Sequence, residues 1–211
     1  ECSYNKTGFK ALGAGSVVTA TLRMPRTAAA YGALDPSVLR GDARAAAQSA
    51  GIVLGNFDLD LTCFRSVPGY NFAGLAYVGA AGAWIQNSFD SPGVCAHELG
   101  HNYGFNHANF WDTGGESILG AGSSVEYGDG FDTMGNATAG KRHFNARYKA
   151  LLDWLPATYV RTLTTNGTYR LYPMDVTNAN TQIRALRIAK NSQTNYWFEF
   201  RQTFTTSPSI M

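Results

Sequence analysis

Charge is scarce in this chain of 211 residues. Asp, Glu, Lys and Arg make up 15% of it, and 17 basic against 15 acidic side chains leave a formal charge of +2. With no cluster of Lys or Arg, that balance excludes the basic footprint on which nucleic-acid binding depends. Long apolar runs are lacking too. The longest, Gly74 to Ile85 (GLAYVGAAGAWI), is shorter than the roughly 20 residues that cross a bilayer and is interrupted by glycines, so it reads as buried strands and not as a membrane span. No initiator Met and no signal peptide stand at Glu1, and the start reads as a mature or trimmed terminus. Cysteine is limited to Cys2, Cys63 and Cys95. An odd number leaves one pair and one remainder: a Cys63–Cys95 bridge would staple a helix to a strand, and a bridge using Cys2 is the alternative.

What is present supports a folded, exported chain. A hydrophobic content of 45% is enough to bury a full core as one domain, or as one domain with a small appendage. Three glycosylation sequons, at Asn5, Asn136 and Asn166, together with few charges and much Tyr, Asn and Thr, point to a secreted, extracellular protein.

Histidine is rare, yet three of the four histidines fall in one stretch, VCAHELGHNYGFNH, residues 94–107. On a helix His97 and His101 are four residues apart and project from one face, close enough to share a metal ion, with Glu98 beside them. A continuing helix would point His107 elsewhere. Gly104 can take the left-handed conformation that ends a helix, returning His107 as a third ligand. Three neutral imidazoles leave a fourth tetrahedral position for water, the mark of a catalytic rather than a structural zinc site. Glu98 is then placed to take that water's proton and pass it to a leaving amine. Three imidazoles also suit copper, nickel and cobalt.

The pattern HELGHNYGFNH resembles the metzincin signature of zinc endopeptidases, which also calls for a tight methionine-bearing turn downstream. The segment YGDGFDTMGN supplies Met134. Within the metzincins, the Asp-x-Met-Gly turn and the later YWFEFRQ are similar to the gametolysin family of secreted and cell-wall metalloproteases and its microbial relatives. The resemblance implies an α+β, metzincin-type zincin fold: a twisted mixed sheet, a backing helix, an active-site helix, a Met-turn beneath the metal and a closing helix. It would occupy residues 1–156, the upper part to about 104 and the lower part after, followed by a small β-rich region over 157–211. The implied activity is zinc-dependent hydrolysis of peptide bonds in extracellular or cell-wall proteins. Glu98 would be the catalytic base, and His97, His101 and His107 would hold one Zn2+. The substrate would lie extended in a cleft, paired with the free edge of a strand from the region 74–86.

Two positions depart from relatives. The family archetype carries Gln where this chain has His97, and astacin-like and serralysin-like enzymes carry Tyr where this chain has Asn136. Oxyanion stabilisation would then come from zinc, unless Tyr127 or His143 folds back. Two other readings stay open. One is a noncatalytic, zinc-stabilised wall- or matrix-binding module, and the other is a zinc amidase acting on nonpeptide bonds.

Along the chain, Ser16 to Met24 alternates like a strand, and Asp35 with Pro36 opens a helix that ends near Gly51 and contains Arg40-Gly41-Asp42. Phe57 to Phe64 alternates as a half-buried strand whose Asp58 and Asp60 face outward, and Gly74–Val78 and Ala83–Gln86 read as two more. Ser91 and Pro92 are suited to cap and open the metal-binding helix. Asp112, Glu116, Glu126, Asp129 and Asp132 lie in a glycine-rich loop as turn and cap residues, with a Ca2+ site as the alternative. His143 to Leu155 carries a helical apolar stripe of Phe144, Tyr148, Leu151, Leu152 and Leu155. Beyond it TYVRTL, TYRLYP, IRALRIA and YWFEFRQTF read as strands, and the final TSPSIM as unstructured.

Overall fold

The computed structural model describes residues 3–4, 6–8, 18–115, 120–136, 143–175 and 182–202. Cys2, Asn5, Glu116 and the terminal TSPSIM lie outside the described residues. The fold is mixed α+β with small sheets, in two compact units. One spans residues 9–106, and the other joins residues 1–8 to 107–211.

In the first unit, Thr27 caps a short helix α1 (Ala28–Gly32), and Asp35 caps the longer α2 (Pro36–Ser49) by accepting a hydrogen bond from Ser37 N at 2.8 Å. Pro36 sits at the first helical position, where its missing N–H costs nothing. Three strands follow: β1 (Leu61–Phe64), β2 (Gly74–Ala76) and β3 (Ala83–Gln86). β3 is central, parallel to β1 and antiparallel to β2, so β2 is an edge strand. All four residues of β3 are buried. Trp84 joins Tyr31, Leu39, Val67 and Tyr70 in a core that couples α1 and α2 to the sheet.

The large apolar side chains of that core contribute roughly 1.5–3 kcal/mol each. An ion pair near the surface contributes about 1 kcal/mol or less. The double hydrogen bond from Arg40 to Asp60, at 2.9 and 2.6 Å, therefore orients α2 more than it holds it. Arg40 belongs to the Arg-Gly-Asp triplet. The helix and the Asp60 pairing commit this guanidinium to the unit's interior bonding, and Asp60, bonded also by Arg44, is taken up by cations of the chain itself.

Alternation overstates the strands. Pairing of β1 begins only at Leu61, because its partner β3 is four residues long and Leu54–Asn56 is spent in a 3-10 turn. Residues 18–24 join no sheet among the described residues. The run at 74–78 pairs only as far as Ala76.

The second unit contains a hairpin, β4 (Phe110–Asp112) with β5 (Ser123–Val125), a short helix α4 (Ala146–Leu151), and a sheet ordered β6 (Val160–Thr162), β7 (Ala185–Ala189), β8 (Asn195–Glu199). Ala146, Leu155, Met174 and Ala185 form its core, so α4 and the β6–β8 sheet share one interior. Residues 168–173 form no strand and make single bonds such as Tyr172 N to Ile183 O. Helix α4 is shorter than the 143–155 stripe suggests. His143 is held in a bridge with Asp132, Asn145 caps the helix by accepting from Tyr148 N, and Leu151 faces solvent while Lys149 turns inward.

Lys149 is fully buried, with Nζ 2.7 Å from His143 Nδ1 and 5.2 Å from the centre of the Tyr4 ring. An ammonium can only donate, so His143 accepts at Nδ1 and is neutral. Burial, then the nearby Lys149 and Arg201 charges, push its pKa down to about 3. Asp132 is also buried, and desolvation pushes it up to about 6 against the hydrogen bonds it accepts from Met134 N and Asn145 N, each 2.6 Å.

These two groups act on stability in opposite senses. The unfolded chain protonates His143 below about pH 6.5, whereas the folded chain resists until about 3. Its contribution is therefore complete above pH 6.5 and is lost as the pH falls towards 3. Asp132 contributes in acid and loses that contribution as the pH rises through about 6. We expect His143→Gln, which keeps an acceptor for Lys149, to flatten the fall of the melting temperature between pH 6.5 and 4 in scanning calorimetry. Parallel profiles for the variant and the wild type would acquit His143.

Candidate metal centre

Helix α3 (Pro92–Asn102) carries His97, Glu98 and His101. Pro92 opens it. Ser91 occupies the N-cap position but makes no side-chain capping bond, so the start of the helix rests on proline geometry. The spacing of four places His97 and His101 together, their ring centroids 4.8 Å apart and nearly perpendicular, and both are buried.

The helix ends where the chemistry needs it to end. Gly104 has φ +93, a conformation cheap only for glycine, and Phe105 N reaches back to Gly100 O at 3.0 Å. The His101 carbonyl accepts from both Gly104 N and Gly79 N, each at 2.8 Å, and Asn102 Nδ2 donates to Tyr77 O and Gly82 O at 3.0 Å. The loop between β2 and β3 therefore clamps the end of α3. His101 Nδ1 lies 2.7 Å from Phe105 O. A carbonyl oxygen only accepts, so Nδ1 carries the proton and Nε2 is left as the ligand atom.

Beyond this turn the chain returns His107. Its Nδ1 is 2.7 Å from Glu126 Oε1, and the Tyr127 ring packs on the imidazole with centroids 3.9 Å apart. Tyr127 itself has φ +58, uncommon for a residue with a Cβ. A carboxylate behind a histidine fixes the tautomer and directs the other nitrogen to a metal. The three histidines, all within residues 97–107, bring their ligand atoms within 4.8 Å of one another. A tetrahedral ion with nitrogen bonds of about 2.1 Å holds such atoms ~3.4 Å apart. Small rotations of the rings close that difference, and two of the tautomers are already set for ligation. The residues fit a divalent metal.

The turn bearing Met134 is tied to the residue after the third histidine. Ala108 N donates to Met134 O at 2.9 Å, and Asp129 N to Ala108 O at 3.2 Å. Asp132 closes the turn through Met134 N, and Met134 is fully buried. Asn136 follows with a bond to Asp129 O. Of the two side chains considered for an oxyanion role, Tyr127 lies against His107, whereas His143 is committed to Lys149.

Glu98 is 6% exposed, and burial pushes its pKa up to about 7. Low hydration raises the basicity of a carboxylate. Gly74 of β2 packs directly against it.

Other candidates lie outside this constellation. Cys63 and Cys95 are free thiols, so the bridge between them is not formed. Desolvation is the main cause of the raised pKa of each, so each favours the protonated thiol, with Cys63 exposed at the surface and Cys95 half-buried. The acids of the glycine-rich loop are occupied locally: Asp112 accepts from Gly114 N, Asp129 from Phe131 N, and Asp132 from Met134 N and Asn145 N. Among the described residues the histidine triad is the group able to hold a metal, and no acidic cage for calcium accompanies it. Glu126 was not legible as a functional residue. It stands 19 positions from His107 in a loop of turn residues, and no spacing rule connects them.

Two histidines one helical turn apart and a third returned by a glycine make a group that could hold a metal ion, with a buried carboxylate beside it. The profile of the family described as Gametolysin peptidase M11 matches residues 1–204, and the chain belongs to that metallopeptidase family. No curated protein and no solved structure gives a significant match.

Loss of the carboxylate behind His107 should weaken metal binding at the triad. We expect Glu126→Ala to reduce zinc affinity by about 10-fold, the lower end for an outer-shell carboxylate, because Glu126 is 65% exposed. Glu126→Gln, which keeps an accepting oxygen, should lose less. Chelator competition measures both, and unchanged affinity in Glu126→Ala would show that the contact does not orient His107.

Proposed function

We propose that this chain is a secreted zinc endopeptidase that cleaves extracellular or cell-wall proteins, with His97, His101 and His107 as ligands and Glu98 as general base and acid. The observation that carries the reading is the environment of Glu98. Its carboxylate is buried, stands one residue from a metal-ligand candidate and packs against the edge strand β2, so a proton acceptor is held in a fixed place beside the histidine triad that could hold a metal.

Bound zinc would supply Lewis acidity, polarising the scissile carbonyl and making water acidic enough to deprotonate. The residues of the chain do the remainder. A dication nearby favours the ionised form of Glu98, which accepts the proton of the attacking water and returns it to the departing amine. The Nδ1 protons of His101 and His107, anchored on Phe105 O and Glu126, fix the ring orientations and leave Nε2 of each as the ligand atom. Among the described residues strand β2 pairs with β3 alone, which leaves its other edge for an extended peptide, bound mainly through the main chain. In this reading α2 is the backing helix, Met134 forms the Met-turn, and α4 is the closing helix of a metzincin-type fold.

A structural zinc module is the weaker reading. It has no use for a desolvated carboxylate beside its ligands, and it normally fills the fourth position with a protein side chain.

With a quenched-fluorescent peptide library and zinc content measured in each sample, we expect Glu98→Gln to lower kcat/KM by about 10²–10⁴-fold while retaining zinc. Cleavage at the wild-type rate would remove Glu98 from the mechanism. A zinc-loaded wild type that cleaves no member of the library would favour the binding module.

A further inference from the structure

We propose that Gly74 is a positioning residue for Glu98: the missing side chain on the edge strand is the space that the carboxylate occupies. This rests on the reading of Glu98 as the base and adds a second residue to it. A Cβ built at Gly74 would lie 2.2 Å from Glu98 Oε1, 2.6 Å from Cδ and 2.7 Å from Cγ. Those distances are inside van der Waals contact, and they involve the stem of the side chain as well as its tip.

The backbone does not explain this glycine. Gly74 is not among the glycines with positive φ, so its conformation is open to any L-residue. A strand interior also disfavours glycine, which costs conformational entropy and packs nothing. Neither side of the contact can easily retreat. Gly74 is paired in register with the fully buried Ile85 of β3, and the preceding Ala73 carbonyl accepts from Gln86 N at 2.8 Å. Glu98 is on a helix clamped at its C-terminal end by Gly79 and Asn102, and its carboxylate has little solvent to swing into. Contact with bare backbone both desolvates the carboxylate and limits its rotamers. A methyl group at Gly74 would force Glu98 to turn away from the position from which it reaches the reacting water.

A mutant cycle on the full-length chain separates this role from a general packing role. In thermal melts with chelator present, Gly74→Ala is expected to lower the melting temperature by about 3–10 °C, the range for an overpacked interior site in a chain of this size. In a Glu98→Ala background the same substitution should shift it by under about 1 °C, because the colliding side chain is gone. Equal shifts in both backgrounds would overturn the proposal by placing the clash on something other than Glu98. If Gly74→Ala does not fold, recovery of a folded protein in the double variant supports the proposal, and failure of the double variant overturns it.

For the zinc-loaded protein, Gly74→Ala should lower kcat by at least about 10-fold, with KM within about 2-fold, as a misplaced base requires. A raised KM with unchanged kcat would contradict the proposal and assign the glycine to close approach of the substrate. If the wild type cleaves nothing, the peptidase reading fails while the melting cycle still decides whether Gly74 positions Glu98.

Discussion

The His101 carbonyl accepts two backbone hydrogen bonds, from Gly104 N and Gly79 N, and the rest of the centre depends on that double acceptance. One bond stops the helix within a turn of its second histidine, which frees the chain to bring His107 back. The other fixes the helix end to the loop after the edge strand. Helix, turn and strand are thereby set in one small frame, and Gly104 is the residue whose conformation permits it.

Around that frame, burial does chemical work. His97, His101 and Glu98 are all shielded from water, and that burial raises the pKa of the carboxylate. The second unit applies the same physics without metal-binding consequence. His143 is forced neutral beside Lys149, and Asp132 is raised while it ties the methionine turn to the start of α4. Those groups set acid sensitivity and turn geometry. The family assignment over residues 1–204 spans both units, so the β6–β8 sheet falls within the peptidase family's own match.

Legibility in the sequence followed the range of the forces involved. Helices α2 and α3 could be read because an Asp-Pro and a Ser-Pro mark their starts locally, and the pair His97 and His101 because helical spacing is rigid. Strands were harder. The alternation at 57–64 describes two faces, but pairing needs a partner of equal length, and β3 offers four residues. The 143–155 stripe predicted a helix from its start, yet a bridge from Asp132, eleven positions earlier, keeps His143 extended. Lys149 reads as a solvent-facing residue by type, and only the folded unit shows His143 and the Tyr4 ring gathered around it. Glu126 and Gly74 were out of reach for the same reason, since each acquires its meaning from a side chain at least 19 positions away.

The central claim is that His97, His101 and His107 hold one zinc ion through imidazole nitrogen. X-ray absorption at the zinc edge, with metal content determined on the same sample, tests it most directly. The account predicts one zinc per chain, three imidazole ligands at about 2.0–2.1 Å and no sulfur, with one imidazole lost in His107→Ala. Zinc bound through sulfur, or an unchanged spectrum in His107→Ala, would contradict it.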